Sequence, residues 1–337
     1  MVTMADVARK AGVTKQSVSN VLAGKPVRPE TLEKVITAVK ELGYTPNLVA
    51  RALARGKTNL ISFVVPTLKN PFYAEIAEEV EQTIDEFGYQ FILSTTRNDL
   101  KRSRQQFEFL THRAIDGMLL AEDHYSSYDA KTLAQRDFPI VLYSWESLPY
   151  PDNLSVVSID FRQAGFLAAS HLLELGHRNC GVIYENPTHQ LRLSGFLDAF
   201  RMNGITIHEN WLRSTADASY ESGYLQGKNI LRDFPQVSAI FATNDLMAAG
   251  VLDAAQEMGR DVPKDISVIG LDDIAQSAHT RPPLTSISIP KKAMAREAVL
   301  LLLRSIEYSA DSLPVITLLH PALVIRRSTA PIEESLR

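Results

Sequence analysis

From Leu60 to Leu271 short apolar runs alternate with amphipathic stretches, and this alternation constrains the fold more than any other feature. The runs are LISFVV (60–65), YQFILS (89–94), GMLLA (117–121), PIVLY (139–143), VVSI (156–159), CGVIY (180–184), AIFAT (239–243) and ISVIGL (266–271). Segments of helical spacing separate them at 72–87, 100–113, 127–136, 161–175, 190–203, 219–232 and 245–258, with a weaker strand signal near 211–214. Apolar runs without polar alternation suit strands covered on both faces, and a helix after each strand makes parallel βαβ units. About nine such strands fall in two sets, which predicts two similar α/β lobes. Strands near 285–288, 315–319 and 322–325 and a helix over 291–307 complete this body.

The first 58 residues differ and read as four short helices. Thr3 precedes MADVARKA with Asp6 three residues on, which predicts a capping box, and Gly12 ends that helix. Thr14 caps KQSVSNVLA and Gly24 closes it. Pro29 opens a third helix, with Leu32, Val35, Ile36, Val39 and Leu42 at helical spacing before Gly43. Asn47, after Pro46, caps a short LVARALA segment.

Charge follows the same division. Residues 1–58 hold ten Lys/Arg against four Asp/Glu, a net of +6, which leaves −10 for the rest of a chain whose total is −4. A small basic head on an acidic body fits a polyanionic partner for the head, or else a solvated basic face. Helices of these lengths around Gly12 have helix-turn-helix proportions, with Ala8 small where two helices cross and Val7, Val13, Val18, Val21 and Leu22 sealing the pair. Lys15, Gln16, Ser17 and Asn20 then fall on the start and face of the second helix, where such side chains meet base edges in the major groove. A three-helix packing module with a merely hydrated polar face fits the periodicity equally well.

Other classes are excluded more firmly. The 337 residues, 45% apolar and 22% charged, suit a globular chain of about two to three domains. The longest aliphatic run, Val299–Leu303, is far too short to span a bilayer, and the start carries no secretory signal. One cysteine, Cys180, excludes an internal disulfide and a cysteine zinc cluster, so a reducing cytoplasm is expected, with no metal and no cofactor. No G-x-G-x-x-G follows a strand, Gly223–Lys228 falls one residue short of a P-loop, and His208-Glu209 lacks a second histidine four residues after the first. Cys180 reads as core and His177 as a surface residue, so an enzyme is not expected.

The string Thr3-Met4-Ala5-Asp6-Val7-Ala8, Ala11-Gly12-Val13-Thr14, Val18-Ser19-Asn20-Val21-Leu22, Gly43-Tyr44-Thr45-Pro46-Asn47 and Ala50-Arg51-Ala52-Leu53 resembles the LacI/GalR family of bacterial transcription regulators. The resemblance continues through the body. It implies a helix-turn-helix head over 1–46, a hinge helix and linker over 47–58, an effector-binding and dimerisation domain over 59–330 and a tail over 331–337. The body would have the two-lobed periplasmic-binding-protein fold, with an N-lobe of about 59–158 and 290–320 and a C-lobe of about 160–287 and 322–330. Three crossings are expected near 158–160, 287–290 and 319–322.

Site residues follow from that resemblance. Lys15 and Gln16 would read bases beside Ser17 and Asn20, while Thr3, Thr14 and Ser19 would hold phosphates. Several members carry Arg or His where Asn20 stands, so no known operator transfers directly. Asn47, Ala50, Arg51 and Leu53 match the hinge, with Leu53 as the wedge in the minor groove. Two heads on a two-fold axis require a homodimer and a near-palindromic double-stranded operator. The chain's end has no leucine heptads, so a dimer is expected and not a tetramer. A small-molecule effector would lie between the lobes against Phe72, Tyr73, Arg97, Asp123, Arg192, Asn244 and Asp272, with Asp245 capping its helix. Ser144 and Ala218 stand where the lactose and purine repressors carry an acid and a stacking ring, and Glu122 with Asp123 are a second source of acidity. The effector is therefore expected to be a sugar or sugar derivative unlike lactose analogues and purines, with a nucleoside or nucleobase corepressor as the alternative. An exported sugar-binding transport receptor shares this body but conflicts with the basic head.

Overall fold

The computed structural model describes residues 2–22, 25–45, 57–111, 115–121, 138–144, 146, 148–308 and 313–332. The chain divides into two compact units at Asn59 and Leu60.

The first unit packs α1 (Met4–Ala11), α2 (Lys15–Leu22) and α3 (Pro29–Leu42) around Val7, Ala8, Ala11, Val18, Val35, Ala38 and Tyr44. Thr3 and Asp6 form the expected capping box: Thr3 Oγ1 accepts from the Asp6 N–H, and the Asp6 carboxylate accepts from the Thr3 N–H at 3.0 Å. Gly12 turns the chain at φ 65°, a conformation that costs glycine least. Thr14 Oγ1 accepts the Ser17 N–H at 3.1 Å and so caps α2. On α3 the face of Val35 and Ala38 points inward, which leaves Leu32 and Ile36 each 42% exposed on its flank.

The second unit holds two six-stranded sheets. The first contains β1 (Leu60–Val65), β2 (Gln90–Thr95), β3 (Gly117–Leu120), β4 (Ile140–Tyr143), β5 (Ser155–Ile159) and β11 (Ile316–Leu319), in the order β11-β5-β4-β3-β1-β2. The second contains β6 (Cys180–Glu185), β7 (Leu212–Thr215), β8 (Ala239–Ala242), β9 (Ser267–Asp272), β10 (Thr285–Ser288) and β12 (Ala322–Val324), in the order β12-β10-β9-β8-β6-β7. The chain thus passes between sheets three times: after Ile159, after Ser288 and between Leu319 and Ala322. Pairing is parallel except for β12, which runs antiparallel to β10. β7 is an edge strand and only partly buried, which is why its apolar signal was weak.

Helices α4 (Pro71–Glu86), α5 (Leu100–Thr111) and α10 (Lys291–Tyr308) accompany the first sheet, and α6 (Phe161–Glu174), α7 (Gln190–Met202), α8 (Tyr220–Asp233) and α9 (Asp245–Glu257) the second. The segment expected as a helix at 127–136 lies outside the described residues. Helices α6 and α7 cross with their backbones touching: a Cβ on Gly165 would lie 1.9 Å from the Arg192 carbonyl oxygen, and one on Gly195 1.8 Å from that of Arg162. This contact, floored by Phe196 stacked on Phe200 and Phe241, fixes the turn of α7 that bears Arg192.

The expected surface position of His177 is overturned. His177 is 3% exposed, not on the surface. Its Nε2 pairs with the Ala330 carbonyl at 3.0 Å and its Nδ1 with Ser238 Oγ at 2.9 Å. The carbonyl can only accept, so Nε2 carries the proton. The ring ties the chain's last described segment to the second sheet, and burial lowers its pKa. Cys180 is fully buried in β6, where loss of water pushes its thiol up.

Candidate functional site

On the first unit, Lys15 and Gln16 are exposed at the start of α2, with Ser17, Ser19 and Asn20 half-buried behind them. Gln16 Nε2 donates to Asn20 Oδ1 at 3.0 Å, and Thr14 Oγ1 lies 2.9 Å from Ser17 Oγ. These bonds order the polar face before any partner arrives. Thr3 is exposed at the start of α1. Asn47, Ala50, Arg51 and Leu53 lie outside the described residues.

In the second unit a cavity of about 620 Å³ opens at the C-terminal ends of the strands, lined from both sheets. Phe72, Tyr73, Arg192, Asn244 and Asp272 all line it. Arg97 does not: it is exposed, at φ 59°, and its neighbour Asn98 faces the cavity instead. Asp123 and Glu122 lie outside the described residues.

Arg192 is the electrostatic centre. Only 7% exposed, it donates from Nε to Glu146 Oε2 at 2.9 Å and from Nη1 to the Thr243 carbonyl at 2.6 Å. Asp272 Oδ1 stands 3.7 Å from Nη1, and the guanidinium lies 4.5 Å above the Phe161 ring. Burial disfavours its charge, but Glu146 and then Asp272 outweigh that and raise its pKa. Asp272, 2% exposed at φ 119°, is pushed up to about 8 by burial despite Arg192. His189 is driven well below its usual pKa by burial and then by Arg192. Its Nδ1 pairs with Thr243 Oγ1 at 2.8 Å.

Asn244, not Asp245, caps α9: its Oδ1 accepts the Met247 N–H at 2.8 Å while its Nδ2 donates to the Ala218 carbonyl at 3.1 Å. One lone pair and one N–H remain for a ligand. Asp245 instead sits 1% exposed beneath β9 and β10, accepting from Ile274 N, Ser277 Oγ and Ser286 Oγ. A short apolar residue at its position would leave three donors unmet, so the carboxylate holds the turn after Asp272 in place.

Sequence reasoning missed Glu146, although it lies only two residues beyond Ser144. The loop after β4 places it on Arg192, so the acid absent at Ser144 is supplied from Glu146. Likewise Tyr220, two residues beyond Ala218, lines the cavity at the start of α8. Among the described lining residues Lys69 and Arg192 are cationic, while Glu185, Asp217, Glu221 and Asp272 are acidic.

Residues 3–47 match the model of bacterial regulatory proteins of the lacI family, and residues 169–329 match a periplasmic binding protein-like domain. The transcriptional regulator DegA of Bacillus subtilis (strain 168) is 35% identical over 98% of both chains. This chain belongs to the lacI family. The transcriptional repressor PurR of Klebsiella pneumoniae subsp. pneumoniae is also 35% identical, over 98% of this chain and 97% of its own. A lac repressor dimer bound to operator and the anti-inducer ONPF superposes with a TM-score of 0.87 at 28% identity, over 98% of this chain and 99% of that one. A CelR–cellobiose complex is 32% identical with a TM-score of 0.75, over 97% of this chain and all of that one. This lacI-family member is therefore a DNA-binding transcription regulator with a two-lobed effector body. No helix among its described residues is long and apolar enough to cross a membrane.

Proposed function

We propose that this lacI-family regulator is a homodimeric repressor of a carbohydrate-uptake or catabolic operon, switched by an uncharged sugar or sugar derivative. The effector lies in the 620 Å³ cavity against Arg192, Asp272 and Asn244, with Tyr73 and Phe72 beside it. The head reads a near-palindromic operator through Lys15, Gln16, Ser17 and Asn20, with phosphates at Thr3, Thr14 and Ser19. The hinge residues Asn47, Ala50, Arg51 and Leu53 complete that contact.

The observation that carries the effector class is the charge balance around Arg192. Its guanidinium already faces Glu146 at 2.9 Å and Asp272 at 3.7 Å. A phosphate or carboxylate brought to Arg192 would meet a cation already neutralised by Glu146, beside the acids of the lining, and would lose its own hydration with Lys69 as the one other cation among the described lining residues. A hydroxyl-rich neutral molecule meets donors and acceptors in fixed positions instead. A thermal-shift screen of neutral sugars, polyols, phosphorylated sugars, sugar acids and nucleosides tests this. A true ligand at 100 times its dissociation constant adds about 2.7 kcal/mol. Stabilisation by phosphorylated sugars or sugar acids alone would overturn the charge argument, and stabilisation by nucleosides alone would replace the sugar reading with the corepressor one. Selection of bound fragments from genomic DNA identifies the operator.

A further inference from the structure

We propose that Glu75 and Lys291 form a latch across the cleft that ties the turn after Asp272 to the opposite lobe, and so act as positioning residues for the regulatory response. Glu75 rises from α4, one turn beyond Phe72, on the first sheet's side. Its Oε1 accepts the backbone N–H of Ala275, in the 3-10 turn Ala275–Ala278 that follows β9, at 2.7 Å. Its Oε2 lies 2.9 Å from Lys291 Nζ, and that ammonium also donates to the Asp273 carbonyl at 2.7 Å. Lys291 itself begins α10, just past the second crossing between the sheets.

One carboxylate and one ammonium thus join three elements: a first-lobe helix, the crossing strand's exit and the second-lobe turn. Both side chains are mostly shielded, 25% and 14% exposed, so water competes poorly for them. The turn they hold is strained and tightly tied. Asp272 and Asp273 both have positive φ, 119° and 49°. Asp273 is further bonded through its N–H to Ser286 Oγ at 3.1 Å and through Oδ1 to Arg326 Nη2 at 2.6 Å. Such a backbone conformation persists only where neighbours over-determine it. The carboxyl of Asp272 faces the cavity while the carbonyl of the next residue, Asp273, is held by Lys291. A change at one is felt at the other through the positive-φ pair Asp272-Asp273, with Asp245 fixing the floor.

The regulatory meaning rests on the cleft being the effector site, but the latch is tested without any effector. Cys180 is buried, so labels go to Glu307→Cys on α10 and Met202→Cys on α7. Labelled subunits are diluted with unlabelled protein, and the distance between lobes is measured by pulsed electron resonance alongside amide exchange of 273–278. In Glu75→Ala and in Lys291→Met the exchange of the Ala275 amide region rises by about tenfold or more, the scale of a lost hydrogen bond to a charged group. The inter-lobe distance distribution broadens or shifts in both, the double variant goes no further than either single one, and Lys291→Arg restores the parent distribution. Lys292→Met, at an exposed neighbour, changes neither. Faster exchange with an unaltered distance distribution would overturn the proposal, leaving a local tie only. Unchanged exchange would overturn it too. Should Glu75→Ala not fold, Glu75→Gln keeps an acceptor for Ala275 and loses the charge on Lys291, and an unaltered distribution there, with Lys291→Met also unaltered, counts against the latch.

Discussion

Removing Glu146 tests how the cavity manages its buried charge. The residue is 2% exposed and its carboxylate meets Arg192 Nε at 2.9 Å. Arg192 cannot give up its proton, so Glu146→Ala leaves a guanidinium shielded from water, with Asp272, 3.7 Å away, held mostly neutral at pH 7 by its burial. Breaking one side of a buried pair costs about 3–5 kcal/mol, and that range is the expectation here. Urea unfolding of the full chain at pH 7 reads this as a lower midpoint at unchanged slope. Replacing both partners, in Glu146→Leu with Arg192→Met, costs far less than the sum of the single changes, because no charge is then stranded. Additive losses would refute the reasoning, as would a Glu146→Ala protein within about 0.5 kcal/mol of the parent. The same single variant turns the cavity toward anions: phosphorylated sugars that fail to stabilise the parent stabilise Glu146→Ala.

Other expectations follow from the same geometry. Asp272 holds a proton up to about pH 8 in the folded chain, against about 3.8 unfolded, so between those values the folded state binds more protons and stability falls as pH rises. Asp272→Asn removes that contribution, so from pH 5 to pH 8 the parent's unfolding free energy in urea falls relative to the variant's by up to about 1.4 kcal/mol per unit; parallel pH curves would count against it. Gly195→Ala places a methyl 1.8 Å from the Arg162 carbonyl and forces α6 and α7 apart, so it costs about 1–3 kcal/mol or more in thermal melts. Leu53→Ala weakens specific operator binding while random-DNA binding survives; equal loss on both would contradict the wedge role. Light scattering of the purified chain gives a dimer, and a tetramer would contradict the proposed homodimer.

Much of this was legible in the sequence for a physical reason. Buried parallel strands are continuous apolar runs, and β1, β3, β6, β8 and β9 stand out as such. Arg192, Asn244 and Asp272 sit just beyond or near strand ends, where parallel α/β sheets gather their ligand-facing side chains. What escaped were properties of packing. The burial of His177 depends on a segment more than 150 residues away in sequence. Which of Asn244 and Asp245 caps α9 depends on whether Ser277 and Ser286 take the other carboxylate. Glu146 and Tyr220 were hidden because loops, unlike strands, carry no periodic signal that says which side chain turns inward. Arg97 fails at the same kind of place: a positive φ swings it outward and leaves Asn98 at the cavity.

The coupling of the two units is tested most directly by fluorescence anisotropy of a labelled operator duplex, titrated with protein with and without the ligand found by thermal shift. Operator affinity changes by about 5- to 150-fold on saturation, and the change is abolished in Asp272→Ala while that variant still grips the operator. An operator affinity that is identical with and without a ligand known to occupy the cleft would contradict it.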